Sequence, residues 1–78
     1  MFTRHLQINN HGRHRNDPLY SIDLVTNDGY FINQEAFYYK TRAAALVEVA
    51  RIISEDALQG RETILLEGSI KFYHRNPN

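Results

Sequence analysis

Seventy-eight residues, no cysteine, and nine basic side chains balanced by nine acidic ones bound the problem before any motif is read. A chain of this length is expected to form one domain, residues 1–78, near the lower limit of what a single hydrophobic core sustains without disulfide or metal staples. The composition excludes a disulfide framework, a thiolate metal site and a thiol nucleophile, and zero net charge gives no global field that steers the protein onto nucleic acid or an acidic membrane. No apolar run is long enough for a membrane span, and "MFTRHLQ" lacks the apolar core of a secretory signal, so the cytoplasm is the expected compartment.

In chain order, "FTRHLQI" alternates, with Phe2, Leu6 and Ile8 on one side and Thr3, His5 and Gln7 on the other, the period of a half-buried strand. A polar stretch, "INNHGRHRNDP", separates it from a second strand, "LYSIDLVT", in which Tyr20, Ile22 and Leu24 oppose Ser21, Asp23 and Val25. The Asp-Gly of "NDGY" then predicts a tight hairpin. It leads into a third strand, "YFINQEAFYY", whose middle "NQE" is a candidate bulge.

At Lys40-Thr41 the period switches. Thr41 is a candidate N-cap, and Ala43, Leu46, Val47, Ala50, Ile53 and Ala57 fall at helical spacing. Ala45, Val49 and Ile52 widen that apolar face, Glu48, Arg51 and Glu55 line the wet side, and Gly60 is placed to end the helix. The tail "ETILLEGSIKFYH" reads either as a hairpin turning at Gly68-Ser69 or as one long strand bent at Gly68. The predicted fold is α+β: an antiparallel sheet of four to five strands, in β-β-β-α-β-β order, with one helix on one face.

Two constellations carry chemistry. Residues 1–16 hold Arg4, Arg13 and Arg15 with His5, His11 and His14 and no acid, whereas residues 17–39 hold Asp17, Asp23, Asp28 and Glu35 and no lysine or arginine. The basic stretch offers Arg4, His11, Arg13, His14 and Arg15 as a phosphate or nucleic-acid contact, with forked guanidinium donors beside a permissive Gly12. Metal binding is not expected, because His11 and His14 supply two ligands where zinc needs three or four; no cofactor motif is present either. No phosphate loop, metalloprotease helix or nucleophile elbow occurs, and Ser21, Ser54 and Ser69 have no adjacent base in sequence, so the chain is not expected to be an enzyme. Acidic side chains such as Asp23 and Glu35 are expected to be solvated on the polar face of the sheet.

The second constellation is aromatic. Since one helix covers only one face of a sheet, the other face is expected to display rings, with Tyr38 pointing opposite to Phe37 and Tyr39. Tyr30, Phe37, Tyr38 and Tyr39 are therefore the candidate partner-binding residues, because tyrosine combines an apolar body with a polar tip. Edge pairing into a symmetric homodimer is a second form of such recognition.

The string "FYYKTRAAALVEVARII" resembles a family of small bacterial proteins of unknown function, in which a β-hairpin leads into an F-x-T-x-x-A-like helix start and a final β segment. The matching residues are Phe37 or Tyr38, Thr41, Ala44 and Ala45. The same three-strand-plus-helix order is similar to the DNA-binding domains of plant ethylene-response factors and the arm-site domains of phage integrases. Those resemblances imply DNA reading by arginines on the sheet, from which this chain departs in having none over residues 19–39. In size and neutrality it also resembles the small inhibitors of phages and mobile elements, anti-CRISPR proteins among them, which implies a host protein as the partner. Taken together, the sequence predicts a non-catalytic module that binds a protein, with nucleic-acid binding through the basic loop as the alternative.

Overall fold

The computed structural model describes residues 3–11 and 19–68. They form β1 (Thr3–Asn10), β2 (Tyr20–Val25), β3 (Phe31–Tyr39), α1 (Arg42–Leu58) and β4 (Glu62–Leu66). The α+β class holds, with one helix packed across one sheet. The sheet itself, however, is mixed rather than antiparallel: its order is β3-β2-β1-β4, and β4 lies parallel to β1. Topology explains the difference. Both β1 and β3 run antiparallel to β2, and a helix crossing the sheet returns the chain to the end it left, so the strand it feeds runs parallel to β3 and hence to β1. The segment that would form a fifth strand, or decide between hairpin and bent strand, lies outside the described residues.

Local chemistry sets the boundaries of these elements. Thr26 N–H donates to the Tyr30 carbonyl at 2.8 Å and Gly29 N–H to the Thr26 carbonyl at 3.0 Å, closing a three-residue loop between β2 and β3. Gly29 takes φ +91°, the left-handed conformation this loop class asks of its last residue. Thr41 caps α1, its hydroxyl accepting from Ala44 N–H at 3.1 Å. At the other end Gly60 N–H donates to the Ala57 carbonyl and Arg61 N–H to the Asp56 carbonyl, the paired closure that a left-handed residue after the helix makes available.

Gly60 has φ +79°, and a Cβ there would meet nothing within 4 Å. Gly60→Ala is therefore expected to cost about 1–2 kcal/mol through backbone strain alone. A denaturant titration checks this: the midpoint falls and the slope is unchanged.

The core lies between α1 and one face of the sheet. Leu6, Ile8, Ile22, Ala45 and Val49 form its buried centre, and Tyr20, Leu24, Ala36, Tyr39, Leu46, Ile52, Ile53 and Leu65 pack around it. The helix is rotated from the predicted stripe. Ala45, Val49 and Asp56 are its buried positions, whereas Val47 is 72% exposed and Ala43, Ala50 and Ala57 face water. Two small residues, Ala45 and Val49, let the helix approach the sheet closely. Asp56 turns inward because its partners are there.

Candidate functional site

Among the described residues β3 forms one edge of the sheet, and its pairing with β2 slips three times. Opposite Val25 and Leu24 the register passes from Phe31 to Asn33; opposite Asp23 and Ile22, from Gln34 to Ala36; opposite Ser21 and Tyr20, from Phe37 to Tyr39. Ile32, Glu35 and Tyr38 are thus the extra residues of three bulges, the middle one falling in the predicted "NQE". Each bulge interrupts alternation, and the simple parity expected for the aromatic run fails as a result. Tyr39 packs on the core, while Phe37 and Tyr38, joined by a cis peptide, meet edge-to-face with ring centroids 5.1 Å apart. Tyr38 does not point away from Phe37.

Of the four aromatic residues singled out, the structure brings two together. Phe37 is 62% and Tyr38 53% exposed, and Tyr38 also meets the His11 ring edge-on at 5.8 Å. Tyr30 is half-buried at the far end of β3, where its N–H donates to the Thr26 hydroxyl at 2.9 Å. Tyr39 is half-buried, and burial together with the Glu48 charge pushes its hydroxyl pKa up, against a smaller opposing effect of Arg51. Ile32, 53% exposed, adds an apolar side chain along the same edge strand.

The face of the sheet away from α1 is not an open aromatic surface. Gln7, Asn9, Ser21 and Asp23 are all no more than 5% exposed, so over β1 and β2 that face is closed. Asp23 Oδ2 accepts from Asn9 Nδ2 at 2.6 Å and from the Ser21 hydroxyl at 3.1 Å, and His11 Nε2 lies 2.7 Å from Ser21 Oγ. Ser21 is wholly buried and its hydroxyl donates to Asp23, whereas a nucleophile–base pair gives the serine proton to the imidazole. Asp23 is thus a buried, hydrogen-bonded group rather than the solvated carboxylate expected. The missed signal was the coincidence of Ser21 and Asp23 with Gln7 and Asn9, which the register places side by side.

Glu35 is likewise engaged: its Oε1 accepts from Arg4 Nη1 at 3.2 Å. Arg4 also donates from Nη2 to Asp56 Oδ2 at 2.7 Å and from Nε to the same oxygen at 3.2 Å. Thr63 Oγ1 adds a third donor to that oxygen at 2.5 Å, and Arg61 Nη2 reaches Oδ1 at 3.1 Å. The Thr63 bond, with Arg4 and Arg61 behind it, holds the Asp56 carboxyl below the usual aspartate range despite burial. Burial works against the Arg4 cation, yet its Asp56 and Glu35 partners hold its pKa above the ordinary arginine value.

Of the basic residues singled out, then, Arg4 is spent on two carboxylates, His11 is exposed at the end of β1 and bound to Ser21, and Arg13, His14 and Arg15 lie outside the described residues. Among the described residues no three His, Asp or Glu side chains gather into a metal-holding group, and no helix is long and apolar enough to cross a membrane. Comparison with known protein families, curated proteins and solved structures found no match to the chain.

Proposed function

We propose that this chain is a non-catalytic module that binds a protein partner through the β3 edge, with Phe37 and Tyr38 as its anchors. The observation that carries this reading is the pair of adjoining rings, 62% and 53% exposed, on an edge strand. Aromatic side chains that cluster and keep more than half their surface in water are the residues that dominate binding energy when a partner desolvates them. They are also held in place. Tyr38 rests against His11, and His11 is tied through Ser21 to the buried Asp23, so less rotamer freedom remains to be lost on association.

Affinity capture with the wild-type chain and the Phe37→Ala/Tyr38→Ala double variant tests the proposal. A partner retained by the wild type is expected to be lost by about 30-fold or more in affinity from the double variant, the size of an aromatic hot spot, while circular dichroism stays unchanged. Undiminished retention by that variant overturns it. Loss of capture on nuclease treatment or with Arg13→Ala/Arg15→Ala moves the function to the nucleic-acid alternative. A wild-type dimer that the double variant dissociates in sedimentation identifies the partner as a second copy.

A further inference from the structure

Three strands, β1, β3 and β4, run in one direction, so their C-terminal ends and the first turn of α1 gather at the same end of the sheet. The neighbours of β1 are reached by opposite routes: β2 follows it directly on one side, and β4 returns to its other side by way of the helix. The end of β1, the start of β2, the first turn of α1 and the chain just after β4 border one crevice at that end.

A cavity of about 330 Å³ opens there, within the range of small-molecule sites. Ile8 and Tyr20 supply apolar wall, His11 and Gly68 lie on its border, and Arg42 supplies the charge; none of the described lining residues is acidic. Among the described residues Arg42 has one weak ion-pair partner. Its Nη2 lies 3.5 Å from Glu67 Oε1, and the two side chains are 48% and 82% exposed. A pair of that length and exposure contributes little to stability, so an incoming anion displaces Glu67 at small cost. The internal carboxylate marks the place and the chemistry of the external one.

We propose that this crevice binds a carboxylate carried on a flat apolar group, the carboxylate replacing Glu67 on the Arg42 fork and the apolar body lying against Tyr20 and Ile8. A single planar guanidinium matches a carboxylate in both charge and shape. The mixed wall then selects an aromatic or aliphatic acid over a bare inorganic anion. His11 borders both this crevice and the Tyr38 ring, but Arg42 is no part of the β3 edge, so the Arg42→Gln variant separates this site from the proposed protein-binding surface.

The test is a titration of the full chain, followed by backbone amide NMR shifts, with N-acetylphenylalanine, its C-terminal amide, inorganic phosphate, and an octapeptide ending in phenylalanine. Expected is a saturable millimolar response at Ile8, Tyr20 and Arg42 with the acid, at least tenfold weaker with the amide and with phosphate. Arg42→Gln should abolish the response with the circular dichroism spectrum unchanged, and Glu67→Gln should tighten binding about threefold. Tighter binding of the octapeptide than of the free acid identifies a chain terminus as the natural source; equal or weaker binding identifies a small free acid. No response at these residues, equal responses to acid and amide, or binding that survives Arg42→Gln overturns the proposal.

Discussion

Asp56→Ala is expected to remove a large share of the folding stability, about 3–5 kcal/mol. The side chain is a single carboxylate on which three elements converge: Arg4 from β1, Thr63 from β4, and α1 itself, with Arg61 closing the turn. Removing it leaves the Arg4 guanidinium, 18% exposed, with Glu35 alone. Breaking a buried pair from one side typically costs about 3–5 kcal/mol, because the remaining charge is desolvated without compensation. A chain of 78 residues is stabilised by about 4–12 kcal/mol in total. Thermal denaturation is therefore expected to drop by at least about 12 °C. The joint replacement Arg4→Met/Asp56→Leu is expected to recover most of that loss, since the charges it leaves behind, Glu35 and Arg61, are the more exposed members of the network; a double variant as unstable as the single one would show that packing, not charge, is what Asp56 supplies.

The same carboxylate governs the acid limb of stability. Its pKa is depressed on folding, so the stability it contributes is fully present above the unfolded aspartate value of about 3.9 and is lost as the pH falls below it through the folded value. Asp56→Asn should flatten stability against pH in that window. An unchanged acid limb in the variant would assign acid sensitivity to another carboxylate.

Leu6→Ala is expected to be the other severe change, at about 2–5 kcal/mol. Leu6 is wholly buried on β1, paired with Leu24 on one side and Leu65 on the other, and belongs to the cluster beneath Ala45 and Val49. The small helix residues facing it cannot close the void. Val47→Ala provides the contrast: at 72% exposed it should shift stability by less than about 0.5 kcal/mol. Urea titrations of the two variants locate the buried face of α1 directly. Comparable losses would mean that the helix is rotated toward the face that periodicity alone selects.

That rotation shows where sequence reading reaches and where it stops. The existence of β1 to β4 and α1, the Thr41 cap, the Gly29 loop and the Gly60 stop were legible because each rests on chemistry within a few residues. The helix face was not, since Ala43, Val47 and Ala50 are as apolar as Ala45 and Val49. What decides between them is an inward aspartate whose partners lie 52 and 7 positions away, at Arg4 and Thr63. The parallel pairing of β4 was hidden for the same reason, alternation being identical in both strand directions. At the candidate site, Phe37 and Tyr38 were visible as an aromatic run, but their shared exposure depends on a bulge against β2. Asp23 lies buried where its charge predicts exposure, because polarity predicts exposure only until side chains such as Asn9 and Ser21 supply hydrogen bonds from neighbouring positions.

The parallel seam between β1 and β4 joins residues 3–7 to residues 62–66, 59 positions further along the chain, and thereby sets an order of events during synthesis. As the polypeptide leaves the ribosome, β1 can pair with β2 and β2 with β3, but the opposite side of β1 stays bare until Leu66, 27 residues beyond the end of β3, has emerged. During that interval the strand carrying Leu6 and Ile8 offers unpaired amides and carbonyls to any neighbour. Completion of this seam waits on closing a long loop, so the nascent protein is most exposed to misassembly just before β4 arrives.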